Sequence, residues 1–387
     1  MNFELVSILI FVAFLLAIIY KDRGSIEFKF GLIIRRSTRG KRVIYDLAWR
    51  YWRQLKTIGT LAVIVASLAS IYATYILFHS TYNILIKKMK ESTLRVVLPS
   101  VEGVRLPGFI LGVPFWYWII SVFIVLTAHE PLHALMARVE KVEIKSFGLL
   151  IFFILPGAFV EPNERQLKRL KTMGKLRVFA AGSFGNLLIA LITFLLILVF
   201  GEFISLFIEP TGVNYESLIP GSNAEKVNLE GVIIKINDEE VKTTEDLARI
   251  MQNFTPGEKI NVTTTKSVYE IETIKDEETG KALIGISMPY VEYKYKWFLS
   301  KYGRVSRSGL SILQWIGGLF YWIFILNLGV GIFNLFPLKP LDGGLMMEAV
   351  FEHFFNKKGR YISNAISILT LGLVIFNIFG PGIMKFF

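Results

Sequence analysis

Six long apolar stretches constrain the fold of this 387-residue chain more than any other feature of its sequence. They cover residues 3–20, 58–78, 109–139, 179–208, 310–338 and 361–379. A helix needs roughly 20 apolar residues to cross a bilayer, and each stretch is close to or above that length. Hydrophobic residues make up 53% of the chain, which is too many for a soluble globule. We therefore expect a polytopic α-helical membrane protein with about six transmembrane helices.

The basic residues between these stretches indicate how the chain is oriented in the lipid bilayer. Segment 21–57 carries eleven Lys and Arg against three acidic residues, and segment 161–177 carries six against two. Such an excess beside spanning helices marks the cytoplasmic side, so we expect a multi-pass protein of the cell membrane. Segment 293–308 opposes this orientation, because its five basic residues would then be external. Basic loops at an anionic membrane surface account for the net charge of +12, and no motif indicates nucleic-acid binding.

A His-Glu-x-x-His pattern, His129-Glu130-x-x-His133, lies near the end of the third apolar stretch. Histidines four positions apart share one helix face and can bind the same metal ion. Glu130 lies about 100° round the helix from His129, where a carboxylate can act on water instead of binding the metal. Ionisable groups at membrane depth are costly and usually mark a functional site. The alternative is a structural pair of histidines in a helix bundle.

A third metal ligand has to come from elsewhere in the chain. The sequence contains no cysteine, so a metal would bind through nitrogen and oxygen atoms. A catalytic zinc typically takes three protein ligands and leaves one position open. Asp342 is the natural third ligand, because it ends the fifth stretch on the same predicted side and a Gly pair follows it. The alternative is that Asp342 caps a short helix beginning at Gly343. The competing carboxylates are Glu130, Glu161 and Glu348.

The apolar segment 147–160 is too short to cross a bilayer, and Pro156-Gly157 interrupts it. Non-helical backbone survives at membrane depth only where it is buried in protein or lines a cavity. We therefore expect a re-entrant hairpin beside the metal site, with a segment lying at the membrane interface as the alternative.

The composition becomes that of a soluble protein between residues 209 and 292, which separates two membrane regions, 1–208 and 293–387. Residues 231–241 indicate a β-hairpin that turns at Asn237-Asp238, and 257–265 with 267–274 indicate paired strands. Residues 243–254 indicate an amphipathic helix capped by Thr244. About eighty residues suffice for one small domain, so we expect a mixed α/β domain on the external side.

These motifs together resemble the site-2 protease family of intramembrane zinc metalloproteases. The matching motifs are His129-Glu130-x-x-His133, Gly182-x-x-x-Asn186 and Asn334-x-x-Pro337-x-x-x-Leu341-Asp342-Gly343, in that order. The resemblance covers the chain from about residue 109 onward. The soluble insert resembles the PDZ domain that many members carry between core helices.

The resemblance implies a function and a set of site residues. It implies one zinc ion bound by His129, His133 and Asp342, Glu130 as the catalytic base, and substrate contacts by Asn186, Asn334 and Pro337. The implied reaction is hydrolysis of peptide bonds within or near transmembrane segments of membrane-protein substrates. The rival class is a non-enzymatic metal transporter or a PDZ-bearing scaffold. A transporter usually shows an internal repeat and ionisable residues along a path, and the sequence shows neither.

Overall fold

The computed structural model describes residues 3–21, 26–29, 32–38, 40–86, 94–100, 107–152, 155–276, 280–296, 301 and 307–383. The chain forms two compact units. The first unit comprises Met1–Ile197 and Gly317–Phe387, and it holds every predicted metal ligand. The second unit is Leu198–Ile316, which contains the predicted soluble insert.

Long apolar helices dominate the described part of the chain. The helices are α1 (Phe3–Lys21), α2 (Lys41–Arg50), α3 (Trp52–Ile86), α4 (Phe115–Val139), α5 (Glu164–Arg169), α6 (Thr172–Ser205), α7 (Asn223–Lys226), α8 (Thr244–Met251), α9 (Arg307–Phe333), α10 (Asp342–Phe355) and α11 (Lys357–Ile383). Five described helices (α3, α4, α6, α9 and α11) are long and apolar enough to cross a membrane. This agrees with a polytopic helical membrane protein. The described stretch of α1, Leu5–Lys21, is a shorter apolar helix, so a sixth span stays a prediction.

The strands belong to two main sheets and three small pairs. The strands are β1 (Ile26–Lys29), β2 (Leu32–Ser37), β3 (Val96–Ser100), β4 (Ile110–Pro114), β5 (Ile144–Phe152), β6 (Leu155–Pro162), β7 (Ile208–Asn214), β8 (Ser217–Leu218), β9 (Ile233–Ile236), β10 (Glu239–Glu240), β11 (Lys259–Thr264), β12 (Val268–Glu272), β13 (Ile274–Lys275), β14 (Ala282–Leu283), β15 (Ile286–Ser287) and β16 (Tyr290–Tyr295). The first unit contains a sheet in the order β1-β2-β5-β6, and the second contains one in the order β12-β11-β9-β7-β16, with β10 beside β9. The small pairs are β3–β4, β13–β14 and β8–β15.

Small side chains hold α4 close to α6 in the first unit. Ala134 and Ala137 on α4 pack with Val178 and Ala181 on α6, and all four are buried. The same cluster includes Val142, which leads into β5. Small residues let helix backbones approach closely where there is no hydrophobic effect between helices to drive association. The C-terminal half of α4 is thus fixed against both α6 and the sheet.

The segment predicted to be a hairpin forms the antiparallel strands β5 and β6, but its turn lies elsewhere than expected. Pro156 pairs with Ile151 and Gly157 pairs with Leu150, so both lie inside β6 and do not interrupt it. The prediction of a break at Pro156-Gly157 is therefore wrong. Proline is tolerated there because β6 is the edge strand and the missing N–H leaves no bond in the sheet unmade. Re-entry of this hairpin into the membrane stays a prediction.

The second unit contains a sheet and a helix around one hydrophobic core that includes Ile233, Ile250, Ile260 and Ile271. Strands β9 and β10 form the predicted hairpin, with Asn237 at a φ of 51° in its turn. Asparagine tolerates this left-handed conformation better than most residues. The predicted pairing of the next two strands is also present, as β11 with β12.

The cap of α8 lies one residue earlier than predicted. Thr243, not Thr244, caps the helix, because its hydroxyl accepts the N–H of Asp246 while the Asp246 carboxylate accepts the N–H of Thr243. This reciprocal arrangement satisfies two donors that the first turn leaves open. The PDZ-like character of this unit stays a prediction.

Candidate metal centre

Three side chains from two helices bring their ligand atoms together in the first unit. The Nε2 atoms of His129 and His133, one turn apart on α4, are 3.1 Å from each other. Asp342 begins α10, with Oδ1 3.3 Å from Nε2 of His133 and Oδ2 3.6 Å from Nε2 of His129. Ligand atoms of a tetrahedral zinc lie roughly 3.3 Å apart, given bonds of about 2.0–2.1 Å. Two imidazoles and a carboxylate at this spacing fit a zinc ion.

Asp342 reaches the histidines because the chain turns sharply before α10. The N–H of Gly343 donates to the carbonyl of Asn334 over 2.8 Å. A Cβ at Gly343 would lie 2.1 Å from the Leu335 carbonyl oxygen, and one at Gly344 would lie 2.4 Å from the Leu338 carbonyl carbon. Only glycine allows backbones this close. The turn therefore requires the Gly pair that follows Asp342.

Asp342 is not the cap of α10, which settles the alternative reading of this residue. The N-cap position belongs to Leu341, and no side chain caps the helix. The Asp342 carboxylate instead accepts a hydrogen bond of 2.7 Å from the hydroxyl of Ser183 and faces the two histidines. The capping alternative is wrong.

Gly182 on α6 lies directly against the candidate ligand nitrogens, Nε2 of His129 and Nε2 of His133. A Cβ at this position would lie 2.1 Å from Nε2 of His133 and 2.8 Å from Nε2 of His129. Any larger residue would occupy the space that an ion bound to both rings requires. The glycine of the Gly182-x-x-x-Asn186 motif thus keeps the centre open.

Hydrogen bonds to the far side of each ring set which nitrogen is free to bind a metal. Nδ1 of His133 lies 2.7 Å from the carbonyl of Val178, and because a carbonyl only accepts, this nitrogen carries the proton. Nε2 of His133 then keeps its lone pair for a metal. Such second partners fix the orientation of metal-binding histidines.

Asn186 is the hydrogen-bond partner of the His129 ring. Its side-chain oxygen, Oδ1, bears on whether His129 binds a metal. Its amide nitrogen lies 3.1 Å from Nδ1 of His129, while its Oδ1 is buried without a partner in the described part of the chain. If Nε2 of His129 binds a metal, Nδ1 carries a proton and needs an acceptor. Rotating the Asn186 amide by 180° places Oδ1 there, and the two amide orientations are nearly indistinguishable. The unsatisfied oxygen is therefore accounted for by a metal-bound His129.

Glu130, which follows His129 on α4, bonds to the sheet and is not one of the three candidate ligands. Its Oε2 accepts a hydrogen bond of 3.0 Å from the backbone N–H of Val160, on the edge strand β6. Glu130 does not belong to the group that could bind the metal. The carboxylate of a residue adjacent to His129 in the chain thus lies at the edge of the sheet.

The other two competing carboxylates are engaged elsewhere. Glu161 accepts hydrogen bonds from Ser146 and Lys145 and pairs with Arg36 over 2.6 Å. The hydrogen bond from Ser146 is the largest cause that holds the pKa of the Glu161 carboxyl below its ordinary value; burial opposes it, and Lys145 and Arg36 add to the lowering. Glu348 pairs with Lys339 and Arg360. Of the four carboxylates considered from the sequence, only Asp342 has an oxygen grouped with the ring nitrogens of both histidines, all within 4.8 Å of one another.

The predicted substrate contacts fall in different surroundings. Asn186 is completely buried, and its side chain lies against His129, which makes it a partner of a candidate ligand. Asn334 is partly exposed, and its backbone supports the turn before Asp342. Pro337 is buried in the same turn. Contact of these three residues with a substrate stays a prediction.

Sequence reasoning missed three groups that shape the centre. Ser183 binds the Asp342 carboxylate, and its position within the Gly182-x-x-x-Asn186 motif is the one signal that could have identified it. Val178 and Val160 act through a backbone carbonyl and a backbone N–H. Backbone groups leave no trace in the sequence, because every residue carries them.

Comparison with known proteins places these residues in a family. Residues 117–375 match Peptidase family M50. The chain is also similar to the uncharacterized protein MJ0971 of Methanocaldococcus jannaschii, with 25% identity over 383 residues that cover 96% of this chain and 93% of that protein. The family match spans more than half of the chain and includes the histidine pair, Glu130 and Asp342. On this evidence the chain belongs to peptidase family M50, the site-2 protease family.

Proposed function

We propose that this protein is an intramembrane zinc metalloprotease that hydrolyses peptide bonds within or near transmembrane segments of membrane-protein substrates. The observation that carries the proposal is the arrangement of His129, His133 and Asp342 at zinc spacing, with Glu130 beside them on a helix apolar enough to span a membrane. Membership of a peptidase family supports hydrolysis over transport.

The residues of the chain divide the chemistry between them. A zinc ion, when bound, supplies a Lewis acid that makes water a better nucleophile near neutral pH and polarises a carbonyl. Glu130 takes a proton from the water as the water oxygen bonds to the peptide carbonyl carbon. Glu130 then gives that proton to the amide nitrogen as the C–N bond breaks, which leaves a carboxylic acid and an amine. Asn186 and the Val178 carbonyl hold the rings of the two histidines in place.

The edge of the sheet offers a place for an unwound substrate. A peptide in a helix hides its carbonyls in hydrogen bonds, so a substrate helix has to become extended before attack. The N–H of Val160 points away from β5 to Glu130, which shows that the free edge of β6 lies beside the proposed base. Along this edge every second residue points outward, so Ala158 presents the next free N–H and carbonyl. An extended substrate adding to β6 would thus pair at Ala158.

The soluble insert is proposed to select substrates without taking part in bond cleavage. All three metal ligands and Glu130 lie in the other unit of the chain. A PDZ-like domain there would exclude large ectodomains or bind substrate termini. The basic segments 21–57 and 161–177 support a multi-pass protein of the cell membrane, with the centre toward the cytoplasm and the insert outside.

The decisive experiment replaces the proposed base and leaves the ligands intact. Glu130→Gln should retain zinc and lose proteolysis, because the amide is nearly isosteric with the carboxylate but cannot accept the proton. Zinc per chain and the cleavage rate of a single-span model substrate are measured in detergent. The matched control is Glu164→Gln, at an exposed residue that pairs with Lys168 one turn along α5. Retained cleavage by Glu130→Gln would refute the assigned role.

A further inference from the structure

A cavity of about 350 Å³ lies between the β5–β6 hairpin and the middle of α4. Its walls include the apolar side chains of Phe123, Leu126, Phe147, Leu149 and Ala158, and Glu130 forms part of the wall. Arg35, Ser37 and Thr127 add polar groups. The volume is near the lower end of the roughly 300–1,000 Å³ found for ligand pockets, which suits one side chain of a peptide and not a large ligand.

The small side chain of Ala158 is what keeps this cavity open. Alternate residues of a strand face the same side, so Ala158 and Val160 both face α4. At Val160 the isopropyl group packs against the cluster that holds α4 to α6. At Ala158 only a methyl group is present, and the space remains empty between the strand and the helix.

The register of the edge strand determines which substrate residue would place its side chain in the cavity. Side chains of directly opposed residues on neighbouring strands lie on the same face of a sheet. A substrate residue opposite Ala158 would therefore turn its side chain toward α4 and into the cavity. Val160, whose N–H holds Glu130, is two residues further along, about 6.6 Å away. The side chain in the cavity thus belongs to a residue within about two positions of the cut bond.

We propose that this cavity is the pocket that selects one substrate residue within about two positions of the cut bond, that it takes a large apolar side chain such as leucine or phenylalanine, and that Ala158 sets its depth. The inference rests on the proposed proteolysis and adds to it the substrate feature that the site recognises.

The first test measures side-chain preference with the purified full-length protein. A single-span substrate is cut, the cut site is located by mass spectrometry, and each flanking residue is replaced in turn by Ala, Leu, Phe or Trp. The intact protein should prefer Leu or Phe at one flanking position. Ala158→Phe should lower the Leu-to-Ala ratio of kcat/KM at that position by about 10-fold or more, since filling a hydrophobic pocket acts on this scale. The matched control, Ala365→Phe at an exposed position on α11, should leave the ratio unchanged.

A second variant keeps the proposal testable if Ala158→Phe fails to fold or to retain zinc. Leu149→Ala enlarges the same cavity and should extend the preference to Trp at that position. If every active variant keeps the preference of the intact protein at all flanking positions, the inference is overturned while the proposed function stands. If the zinc-loaded intact protein cuts no substrate at all, the proposed function itself fails.

A cross-linking experiment measures which substrate residue lies in the cavity without requiring cleavage. The chain contains no cysteine, so one introduced thiol is unique. Ala158→Cys in the Glu130→Gln background should form a disulfide under mild oxidation with a substrate that carries one cysteine at the selected position. Ala365→Cys in the same background should form none. Equal cross-linking at all substrate positions, or none at any, would contradict the assignment of the pocket.

Discussion

Gly182→Ala should abolish zinc binding, although the substitution adds only one methyl group. The new Cβ would lie 2.1 Å from Nε2 of His133, whereas real Cβ atoms essentially never come closer than 3.0 Å to another atom. Relieving this contact requires a movement of about 0.9 Å of the ring or of α6. Metal–ligand distances tolerate only about 0.2 Å. The expected loss of zinc affinity is therefore at least the roughly 10- to 100-fold that disturbing a partner of a ligand produces.

Two other glycines of α6 separate this effect from general helix packing. A Cβ at Gly201 would meet nothing within 4 Å, so Gly201→Ala should bind zinc normally and gain about 1 kcal/mol of helix stability. A Cβ at Gly185 would meet Leu132 at 2.3 Å and the Ala128 carbonyl at 2.9 Å, away from the ligand nitrogens. Gly185→Ala should therefore be destabilised by about 1–3 kcal/mol and still hold one zinc.

The assay for this series combines metal content with thermal unfolding. Zinc per chain is measured by mass spectrometry on purified protein and by competition with a chelator, and the unfolding midpoint is recorded for the same samples. The expected pattern is loss of zinc in Gly182→Ala alone. If Gly182→Ala holds zinc as tightly as the intact protein, α6 does not confine the ligand nitrogens and the assigned centre is wrong.

Two further predictions concern the proposed third ligand and the soluble insert. Asp342→Ala should lose zinc affinity and cleavage together. The control Glu348→Ala, which removes a carboxylate paired with Lys339, should keep both. Unchanged zinc stoichiometry in Asp342→Ala would show that Asp342 is not a zinc ligand. Deleting residues 211–289 with a short Gly/Ser bridge should keep zinc and cut a trimmed substrate at a near-normal rate, because Pro210 pairs with Tyr293 and the flanks are already adjacent. An untrimmed substrate should be cut faster, and loss of trimmed-substrate cleavage would contradict the filter role.

The sequence by itself determined the features that arise within short segments. The length of each apolar segment is enough to predict five of the helices. A segment that spans a membrane has to form its backbone hydrogen bonds within itself, whatever surrounds it. The helical period alone places His129 and His133 on one face of α4. The hairpin at Asn237 and the pairing of β11 with β12 also follow from local turn and strand preferences.

The tertiary structure decided what depends on segments distant in the chain. The sequence left Asp342 open between a ligand and a cap, and the turn at Gly343 together with Ser183, 159 positions away, holds its carboxylate at the two histidines and not at the helix end. Addition of β2 to β5, the close approach of Gly182 to His133 and the bond from Val160 to Glu130 are of the same kind. Each depends on backbone atoms or on empty space between elements. Backbone atoms and empty space leave no side-chain pattern in the sequence. Only the packed fold therefore reveals the open edge at Ala158 and the cavity beside Glu130.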